Sequence, residues 1–467
     1  MDNIFKDIKL GKYQEEKIDL SISAFEAFKR LYGLCENMFL LESLGEEGKY
    51  NRFSYIGFDP LFLITAKGYE LLINGRREKV KDIYEYMSEF ARIKAAKKEG
   101  YCGGLVGYFS YEATKYFEKA FVGHHNPEFP DFEMGLFLDG LRFDKKKKSC
   151  VYFSYGKSRV GKILKAIHTP SSIGSFSFSK LKTVNKERQE RITFEALEQI
   201  RKGNIFQVVV SQKTHFKVSG DTRRVYAILR QINPSPYMMY FKFGEREILS
   251  ASPELLIRVA GEKIEHFGTL AGTIGRGVTE KDDKKFEKKL LGDPKEMAEH
   301  MMLVDLARND VGRICEFGSI RVEKLASIKK FSHVQHIFSE IHGVLKKREN
   351  AFSALSACFP AGTLSGAPKV EALKIIANLE GEARGPYGGV GGYFSFNQEA
   401  MMAIIIRSFF RKGSYAYTQT GSGIVADSTS SSEFLEIVNK QKAVEEALRE
   451  AQGKGIKDMK IKDKSAM

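Results

Sequence analysis

Two segments of this sequence, each expected to begin a helix, carry a pair of glutamates three residues apart. In the first, Asp293-Pro294 supplies a helix N-cap and first helical position, and Glu296 and Glu299 follow. Side chains three residues apart share one face of a helix. Asp293-x-x-Glu296 fits a capping box, which accounts for Glu296 but not for Glu299. Because residues 301–304 (Met-Met-Leu-Val) make the helix apolar, its carboxylates need a cation, and we favour a metal site.

The second segment, residues 428–436, repeats this pattern. Ser430-x-x-Glu433 again fits a capping box, and Glu436 is again a carboxylate that the cap does not use. Two such pairs resemble two halves of one oxygen-ligand site. Magnesium fits, since it accepts a few carboxylates and keeps its other positions for water and substrate oxygens. The segments show no His/Cys clustering of the kind zinc favours, so the sequence predicts Mg²⁺ as cofactor.

Arg407 and a glycine pair indicate an anionic ligand. Arg407 lies in AMMAIIIRSFF, which predicts a central strand that is apolar on both faces. A guanidinium there stays charged and must meet an anion, either a protein carboxylate or a substrate carboxylate. The predicted strand 415–420 runs into Gly421-Ser422-Gly423, whose backbone N–H groups could bind an anion at the strand end. An ordinary tight turn is the alternative there.

The elements that must position these residues are mostly strands. The first third predicts hairpins with two helices, including a turn at Asn74-Gly75. The second part shows runs of strands with helices interspersed, without the alternation of a parallel sheet. We therefore expect an α+β fold, with antiparallel sheets packed as a sandwich, surrounding helices and two interlocked subdomains. The Ser-rich, aperiodic stretch 169–182 predicts a linker, which divides the chain into 1–170, 185–452 and a basic tail, 453–467.

Composition narrows the function classes. The chain has 467 residues and is 43% hydrophobic, which is enough to bury a large core. Its five cysteines lack CxxC spacing, which indicates reduced thiols and a cytoplasmic location. The opening residues do not read as a signal peptide, and no apolar run is long enough for a membrane. The net charge of +15 comes from scattered lysine runs, so we expect no nucleic-acid partner, whereas an anionic substrate fits the sign.

The ordered motifs of the second part are similar to those of the chorismate-utilising enzyme family, and the whole chain resembles the large subunits of anthranilate synthases within it. The first part matches more loosely, through residues 39–43, 52–57 and 103–112. The stretches that carry the resemblance in the second part are GNIFQVVVSQ (203–212), NPSPYMMY (233–240), SASPELL (250–256), LAGT (270–273), residues 295–313, HVQHIFSEIHG (333–343), FPAGTLSGAPK (359–369), RGPYGGVGGYF (384–394), IIIRS (404–408), GSGIVADS (421–428) and EFLEIVNK (433–440).

The resemblance implies a magnesium-dependent attack of ammonia on C2 of chorismate, loss of the C4 hydroxyl, and elimination of pyruvate to give anthranilate. It assigns residues 185–452 to the chorismate-binding catalytic domain and residues 1–170 to a regulatory or structural region. By position, Glu299 and Glu436 would hold the metal, supported by Glu296 and Glu433. The residues that match substrate-binding positions are Gly272, Thr273, Thr363, Tyr387, Arg407, Gly421, Ser422, Gly423 and Lys440.

Two further positions match catalytic residues of the family. Glu254 corresponds to the acid that assists departure of the C4 hydroxyl, which needs a raised pKa. His336 corresponds to the active-site histidine near the leaving groups. Each has a plain alternative, because Glu254 could be a cap after Ser252-Pro253 and His336 could be a satisfied core histidine.

Gln207 and Ala271 discriminate within the family. Members that add water carry a lysine base at the position of Gln207, and glutamine cannot take a proton, so ammonia is favoured. Aminodeoxychorismate synthases often carry a lysine at the position of Ala271, although some carry alanine. The chain departs from the usual pattern at Thr269, at Ile274-Gly275 and in residues 428–432. The alternatives are an aminodeoxychorismate synthase component I and a non-enzymatic basic binding protein, which would leave the surplus carboxylates unexplained.

The resemblance also implies partners. No cysteine lies in a nucleophile turn, so we expect glutamine to be used only with a separate amidotransferase subunit, the second component of anthranilate synthases. L-Tryptophan is the expected feedback inhibitor. Its site would combine Glu42 and Ser43 of the first part with Pro236, Tyr237 and Met238 of the second. Interdomain packing is the alternative explanation of those segments.

Overall fold

A computed structural model of the chain describes residues 3–44, 50–95, 98–330 and 334–453. The strands are β1 (Tyr13–Ile18), β2 (Asn37–Glu42), β3 (Phe53–Phe58), β4 (Phe62–Lys67), β5 (Glu70–Ile73), β6 (Arg76–Glu78), β7 (Gly104–Phe109), β8 (Phe132–Phe137), β9 (Asp139–Asp144), β10 (Ser149–Tyr155), β11 (Phe176–Lys182), β12 (Gln207–Gly220), β13 (Tyr237–Phe243), β14 (Arg246–Ser252), β15 (Leu255–Ala260), β16 (Lys263–His266), β17 (Ala271–Gly275), β18 (Arg321–Lys330), β19 (Val334–Val344), β20 (Gly366–Ala367), β21 (Val390–Ser395), β22 (Glu399–Ile404), β23 (Ser408–Lys412) and β24 (Tyr415–Ile424). The α-helices are α1 (Ala24–Leu31), α2 (Ile83–Ser88), α3 (Val160–His168), α4 (Lys186–Arg201), α5 (Arg223–Ile232), α6 (Glu280–Leu291), α7 (Pro294–Gly312), α8 (Ala351–Cys358), α9 (Lys369–Glu380) and α10 (Ser430–Gly453). Short 3₁₀ helices cover Ile4–Lys6, Tyr32–Leu34, Glu89–Arg92, Tyr111–Tyr116 and Gly362–Leu364.

Two antiparallel sheets organise these elements. The first has the strand order β1-β10-β9-β3-β2-β13-β14-β23-β24-β12-β11, with β20 beside β12. The second has the order β17-β19-β16-β15-β22-β21-β7-β8-β4-β5-β6, with β18 paired to β19. Aromatic side chains from both sheets meet in one core, where the rings of Tyr108 and Phe241 lie 6.3 Å apart. This arrangement confirms the predicted α+β sandwich.

Each sheet contains strands from both parts of the chain. In the first sheet β2 pairs with β13, with Phe39 opposite Phe241. In the second sheet β7 pairs with β21, with Tyr108 opposite Gly391. The division into residues 1–170 and 185–452 stays a prediction, but the strands on its two sides interlock within each sheet.

The predicted linker at residues 169–182 is wrong in its second half, where the chain forms β11 on the edge of the first sheet. Phe176 is buried and the Phe178 ring lies 5.8 Å from that of Phe216, so alternate side chains face the core. Ser177 is on the other face and bonds Ser219 at 2.8 Å. The serines hid an alternation of apolar and polar residues that is typical of an edge strand.

The predicted central strand through Arg407 is also wrong. β22 ends at Ile404 in the second sheet, and β23 begins at Ser408 in the first. Arg407 lies where the chain crosses between the sheets, with a φ of +54°. Only a few per cent of non-glycine residues adopt such a φ, so the crossing fixes the position of this side chain unusually tightly.

Local signals at turns and helix starts gave mixed results. The Asn74-Gly75 hairpin is confirmed, with both residues at positive φ between β5 and β6. Asp293 caps α7 by accepting the N–H groups of Lys295 and Glu296, as predicted, but the capping box with Glu296 is wrong, because the Asp293 N–H donates to the Leu290 carbonyl instead. The Ser430 capping box is wrong, because α10 begins at Ser430 and the hydroxyl of Thr429 accepts the N–H of Ser432. In the described part of the chain, no helix combines the length and apolarity needed to cross a membrane.

Candidate active site

The first turns of α7 and α10 bring their glutamates within electrostatic reach of one another. Glu299 is half-buried and accepts a hydrogen bond from Gln207 Nε2 at 2.8 Å. Burial raises the pKa of Glu299, the charges of Glu296 and Glu436 raise it further, and the Gln207 hydrogen bond opposes them. Burial also raises the pKa of Glu296, helped by Asp293 and Glu436. Like charges held together in this way favour a bound cation.

α10 supplies the opposite half of the cluster. Glu436 pairs with Lys440, whose Nζ lies 2.5 Å from its Oε1 and donates to the Gly421 carbonyl at 3.0 Å. Glu433 is buried, and its Oε2 has no hydrogen-bond partner among the described residues. Burial raises the pKa of Glu433, opposed by the Ser428 hydroxyl. A buried carboxylate oxygen left in this state is costly unless a ligand or water reaches it.

The donor set of this cluster fits magnesium by its chemistry. Within the described ranges, no three His, Cys, Asp or Glu side chains already form a ligand cage. Mg²⁺ does not need one, because it binds through one or two carboxylates and fills its remaining positions with water and substrate oxygens. Glu299 and Glu436 are half-buried and lie within electrostatic reach of each other, and the Oε2 of the neighbouring Glu433 has no partner in the described ranges, so the three carboxylates are suited to that role.

Glu254 is a buried carboxyl between β14 and β15. It is 4% exposed, and its Oε1 accepts a hydrogen bond from Thr363 Oγ1 at 3.1 Å. Burial raises its pKa to about 8; the Thr363 hydroxyl, the Leu270 N–H and the charges of Lys329 and Lys440 oppose this. Glu254 therefore holds a proton at neutral pH, as a general acid must.

His336 projects from β19 beside the bulge that contains Gly272 and Thr273. Its Nδ1 lies 2.8 Å from the Gly272 carbonyl and 3.1 Å from Thr273 Oγ1. Because a carbonyl oxygen only accepts, Nδ1 carries the hydrogen, which puts the acceptor lone pair on Nε2. Burial lowers the pKa of His336 to about 4, and Arg407 and Lys440 act in the same direction. The imidazole is therefore neutral at pH 7.

Arg407 supplies a positive charge that the described protein leaves unpaired. Its backbone is held by the Ala251 N–H, which donates to its carbonyl at 3.2 Å. Its guanidinium makes no hydrogen bond or ion pair with any side chain of the described ranges. Burial lowers its pKa, opposed by Tyr387 and Glu436. A half-buried guanidinium without a partner favours an anionic ligand, since leaving it unpaired costs stability.

Gly421 and Gly423 lie inside β24 rather than at its end, so the predicted strand end at residue 420 is wrong, and so is the alternative of a tight turn, whereas the anion-binding role of these residues stays a prediction. Both pair with β12. A Cβ at Gly421 would lie 3.1 Å from the Tyr387 hydroxyl, and one at Gly423 would lie 2.9 Å from Gln207 Nε2. The glycines allow these side chains to approach the strand, and β23 covers its other edge only as far as Thr418.

The structure adds one lysine that sequence reasoning missed. Lys329 is half-buried at the end of β18; burial lowers its pKa, and the charges of Glu254 and Glu340 oppose this. Its Nζ lies 5.3 Å from the centre of the Phe338 ring. Adjacent side chains in a strand face opposite sides, so Lys329-Lys330 in a predicted strand would have indicated one inward lysine.

A cavity of about 100 Å³, called the second cavity to distinguish it from the candidate active site, lies between strands of the two parts of the chain. All five residues predicted to form a regulatory site line it: Glu42, Ser43, Pro236, Tyr237 and Met238. The carboxylate of Glu42 is already bound to Arg230, at 2.7 and 2.9 Å. The Ser43 hydroxyl is buried and has no hydrogen-bond partner in the described ranges. Of these two polar residues, Ser43 is therefore the one available to a ligand.

Comparisons with known proteins show the family to which this chain belongs. The model of the chorismate binding enzyme family matches residues 36–446. The chain is 43% identical to anthranilate synthase component 1 of Methanothermobacter thermautotrophicus, over 95% of each chain. It is 39% identical to that of Leptospira biflexa, over 96% of this chain and 99% of the relative.

Solved structures show the same likeness. The crystal structure of anthranilate synthase component I from Streptococcus pneumoniae superposes with a TM-score of 0.77 at 32% identity, covering 85% of this chain and 93% of the other. The isochorismate synthase MenF of Escherichia coli shares the fold, with a TM-score of 0.74 at 17% identity, over 95% of this chain and 96% of the other.

Proposed function

Since this chain belongs to the chorismate binding enzyme family, we propose that it is the large subunit of an anthranilate synthase, which converts chorismate and ammonia to anthranilate and pyruvate. One observation carries the proposal: Glu436, which lies within electrostatic reach of Glu299 and of the Arg407 guanidinium, pairs with Lys440, and Lys440 lies within electrostatic reach of the protonated Glu254. Chorismate is a ring acid with a leaving group. It fits a site that combines an arginine to bind a carboxylate, glutamates to bind a metal ion and a general acid to protonate the leaving group.

Arg407 and its neighbours would hold the carboxylates of chorismate. The Arg407 guanidinium can bind a carboxylate through two parallel hydrogen bonds. Tyr387 is buried beside it, and the open edge of β24 at Gly421 adds backbone groups. Lys440, between Glu436 and the Gly421 carbonyl, is placed to neutralise charge at the same end.

Glu299 and Glu436 would hold Mg²⁺, with Glu296 and Glu433 behind them. When bound, the ion would neutralise a substrate carboxylate and stabilise negative charge in the transition state. The Gln207 amide fixes the orientation of Glu299 through its 2.8 Å hydrogen bond. That bond prepares the carboxylate for a ligand role before any ion arrives.

Glu254 would protonate the C4 hydroxyl as ammonia adds to C2. The new C–N bond forms at C2, the two ring double bonds shift, and the C4–O bond breaks with loss of water. The Thr363 hydrogen bond to Oε1 leaves Oε2 to carry the transferred proton. Pyruvate is then eliminated as C2 loses its hydrogen and the C3–O bond breaks. The imidazole of His336 would stay neutral during that step, since burial lowers its pKa to about 4, and it would orient the departing group rather than act as a strong base.

The nitrogen source follows from the side chain at position 207, because glutamine lacks the basic amine of a lysine. An amide cannot deprotonate water, whereas ammonia is already a nucleophile. We propose that the isolated chain uses ammonium, and that glutamine serves only when a glutamine amidotransferase subunit supplies ammonia. All five cysteines in the structure are free and buried, which supports a cytoplasmic setting.

The second cavity would bind L-tryptophan as a feedback inhibitor. β22 contributes Met401 and Ala403 to the cavity wall, and its last residue, Ile404, donates its N–H to the Glu254 carbonyl at 3.0 Å. The same strand leads directly to Arg407. A ligand that shifts β22 would therefore displace Glu254 and Arg407 together. Such a displacement would weaken chorismate binding, as inhibition competitive toward chorismate requires.

The deciding experiment is to incubate the purified chain with chorismate, Mg²⁺ and ammonium and to identify the product. We expect anthranilate and pyruvate in equal amounts. 4-Amino-4-deoxychorismate as the product would assign the chain to the sister enzymes instead. No consumption of chorismate would refute an enzymatic role for the site, and glutamine-dependent turnover by the isolated chain would refute the need for a partner.

A further inference from the structure

β19 loses strand partners on both edges at one residue, Ser339. On one edge β17 ends its pairing at Ile337 and β16 begins at Ile341. On the other edge the register of β18 shifts around Ala326, which has a φ of +49°. Ser339 is fully buried. Because an unpaired buried backbone group costs stability, other groups must complete the hydrogen bonding here.

Three side chains complete it. Thr269 Oγ1 accepts the Ser339 N–H at 3.0 Å and donates to the Ser339 carbonyl at 2.7 Å, in place of a neighbouring strand. Ser339 Oγ accepts the Ala326 N–H at 2.9 Å. His300 of α7, fully buried, lies with its Nε2 2.7 Å from the same Oγ. One hydroxyl therefore joins α7, β18 and β19, and the Thr269 hydroxyl joins the segment before β17 to them.

Each joined segment carries residues of the candidate site a few positions away. His300 directly follows Glu299, Thr269 precedes Gly272 by three residues, and Ser339 follows His336 by three. We propose that His300, Ser339 and Thr269 are positioning residues, which set the register of the α7 carboxylates against His336 and the Gly272 bulge. The proposal rests on the proposed function for the chemistry of the site, although these three residues touch no reacting atom.

The arrangement differs from that of a core histidine with both ring nitrogens bonded, because the Nδ1 of His300 has no hydrogen-bond partner in the described ranges. A histidine that only filled space could bond any nearby carbonyl, whereas His300 bonds the one side chain that also closes the gap in β18. Its removal would free α7 to shift against β19. A shift of about 1 Å is enough to cost metal affinity or rate, and loss of such supporting contacts typically weakens metal binding about 10- to 100-fold.

Manganese binding tests the proposal without turnover. Mn²⁺ replaces Mg²⁺ and its free fraction is read by electron paramagnetic resonance. We expect H300F, which keeps a ring but no polar atom, to raise the Mn²⁺ dissociation constant at least about tenfold. H300Q, which can still reach Ser339 Oγ, should stay within about threefold of wild type. The control is H215F, since His215 bonds Tyr415 at the far end of β12.

The outcomes separate this proposal from the proposed function. If H300F lowers Tm but leaves the dissociation constant within threefold of wild type, His300 is structural only and the proposal is wrong. If wild type takes up no Mn²⁺, the metal assignment fails. The positioning role of His300 is then tested by the binding of anthranilate, which is measured by anthranilate fluorescence. H300F must then weaken anthranilate at least about fivefold, and equal binding overturns the proposal. Should H300F not fold, S339A carries the same criteria.

Discussion

The candidate active site and the second cavity treat charge in opposite ways. In the active site, the Arg407 guanidinium has no partner in the described ranges, and α7 and α10 hold glutamates close to one another. In the cavity, Glu42 is locked to Arg230, and Arg258 lies 3.4 Å from Glu265. In the first region Arg407 has no partner and Glu436 pairs only with Lys440, so charge is left for a ligand, whereas the second region has paired its charges before any ligand arrives.

This difference indicates what each region can recognise. Unpaired charges destabilise the free protein, and only a ligand of opposite charge offsets that loss of stability. Paired charges leave shape, apolar contact and single hydrogen bonds as the means of recognition, which suits a small neutral or zwitterionic molecule. The predictions below test the contrast from its strongest consequence to its weakest.

The first prediction concerns the negative charge of Glu299 in the candidate active site. E299Q should lower kcat by at least about 10²–10³, because it removes several kcal/mol of charge stabilisation. Its Tm should be equal to or above that of wild type, since the raised pKa of Glu299 shows that its charge is held unfavourably. Anthranilate fluorescence and a thermal melt measure the two effects. Normal turnover by E299Q would contradict the metal assignment.

The second prediction compares two arginines directly. R407Q should raise KM for chorismate about 10- to 150-fold, since it removes hydrogen bonds to a substrate carboxylate, while the stability should be equal to or above that of wild type because an unpaired charge is removed. R230Q should instead cost about 3–5 kcal/mol of stability, because it leaves Glu42 buried and unpaired. Steady-state kinetics and urea unfolding of both variants make the comparison. If the two variants behaved alike, the contrast between the regions would be wrong.

How far the sequence predicts this molecule depends on whether the signal is local. The hairpin at Asn74-Gly75 and the start of α7 follow from a few neighbouring residues, and both are confirmed. The crossing at Arg407 depends on which sheet receives each end of one apolar run, and β11 depends on an edge that β12 leaves open. No short stretch contains that information.

The candidate site shows the same limit. Capping patterns pointed to Glu299 and Glu436 because each follows a helix start, and the family resemblance supplied Glu254 and His336. The contact between Gln207 and Glu299 joins β12 to α7 across many residues, and only the fold brings them together. The same holds for Ser339, whose role arises from breaks in two different neighbouring strands.

The third prediction uses the pKa of Glu254. All rates are compared at a constant concentration of free ammonia, because the fraction of ammonium that is deprotonated also rises with pH. Because the acid must be protonated, kcat/KM should then fall about tenfold per pH unit above pH 8. The folded pKa lies above the ordinary value of 4.5, so stability should fall as pH rises from there through about 8. E254Q should abolish the basic limb together with most of the activity, and it should flatten the stability profile. A wild-type rate that is constant to pH 9.5 would exclude Glu254 as the acid.

The last prediction concerns the second cavity and carries the smallest effect on catalysis. S43F should fill part of a cavity of about 100 Å³ and block L-tryptophan, while turnover at saturating chorismate stays within about twofold of wild type.

In wild type, tryptophan should weaken chorismate binding about five- to 150-fold, which corresponds to a coupling of roughly 1–3 kcal/mol through β22. S43A is the matched variant: it removes the unpartnered hydroxyl without filling the cavity, so it should leave stability unchanged and weaken tryptophan only modestly. Rates at subsaturating chorismate, titrated with tryptophan, compare the three proteins. If S43F remained as sensitive as wild type, the cavity would not be the inhibitor site. The contrast between the two regions would then describe only how the protein packs its charges.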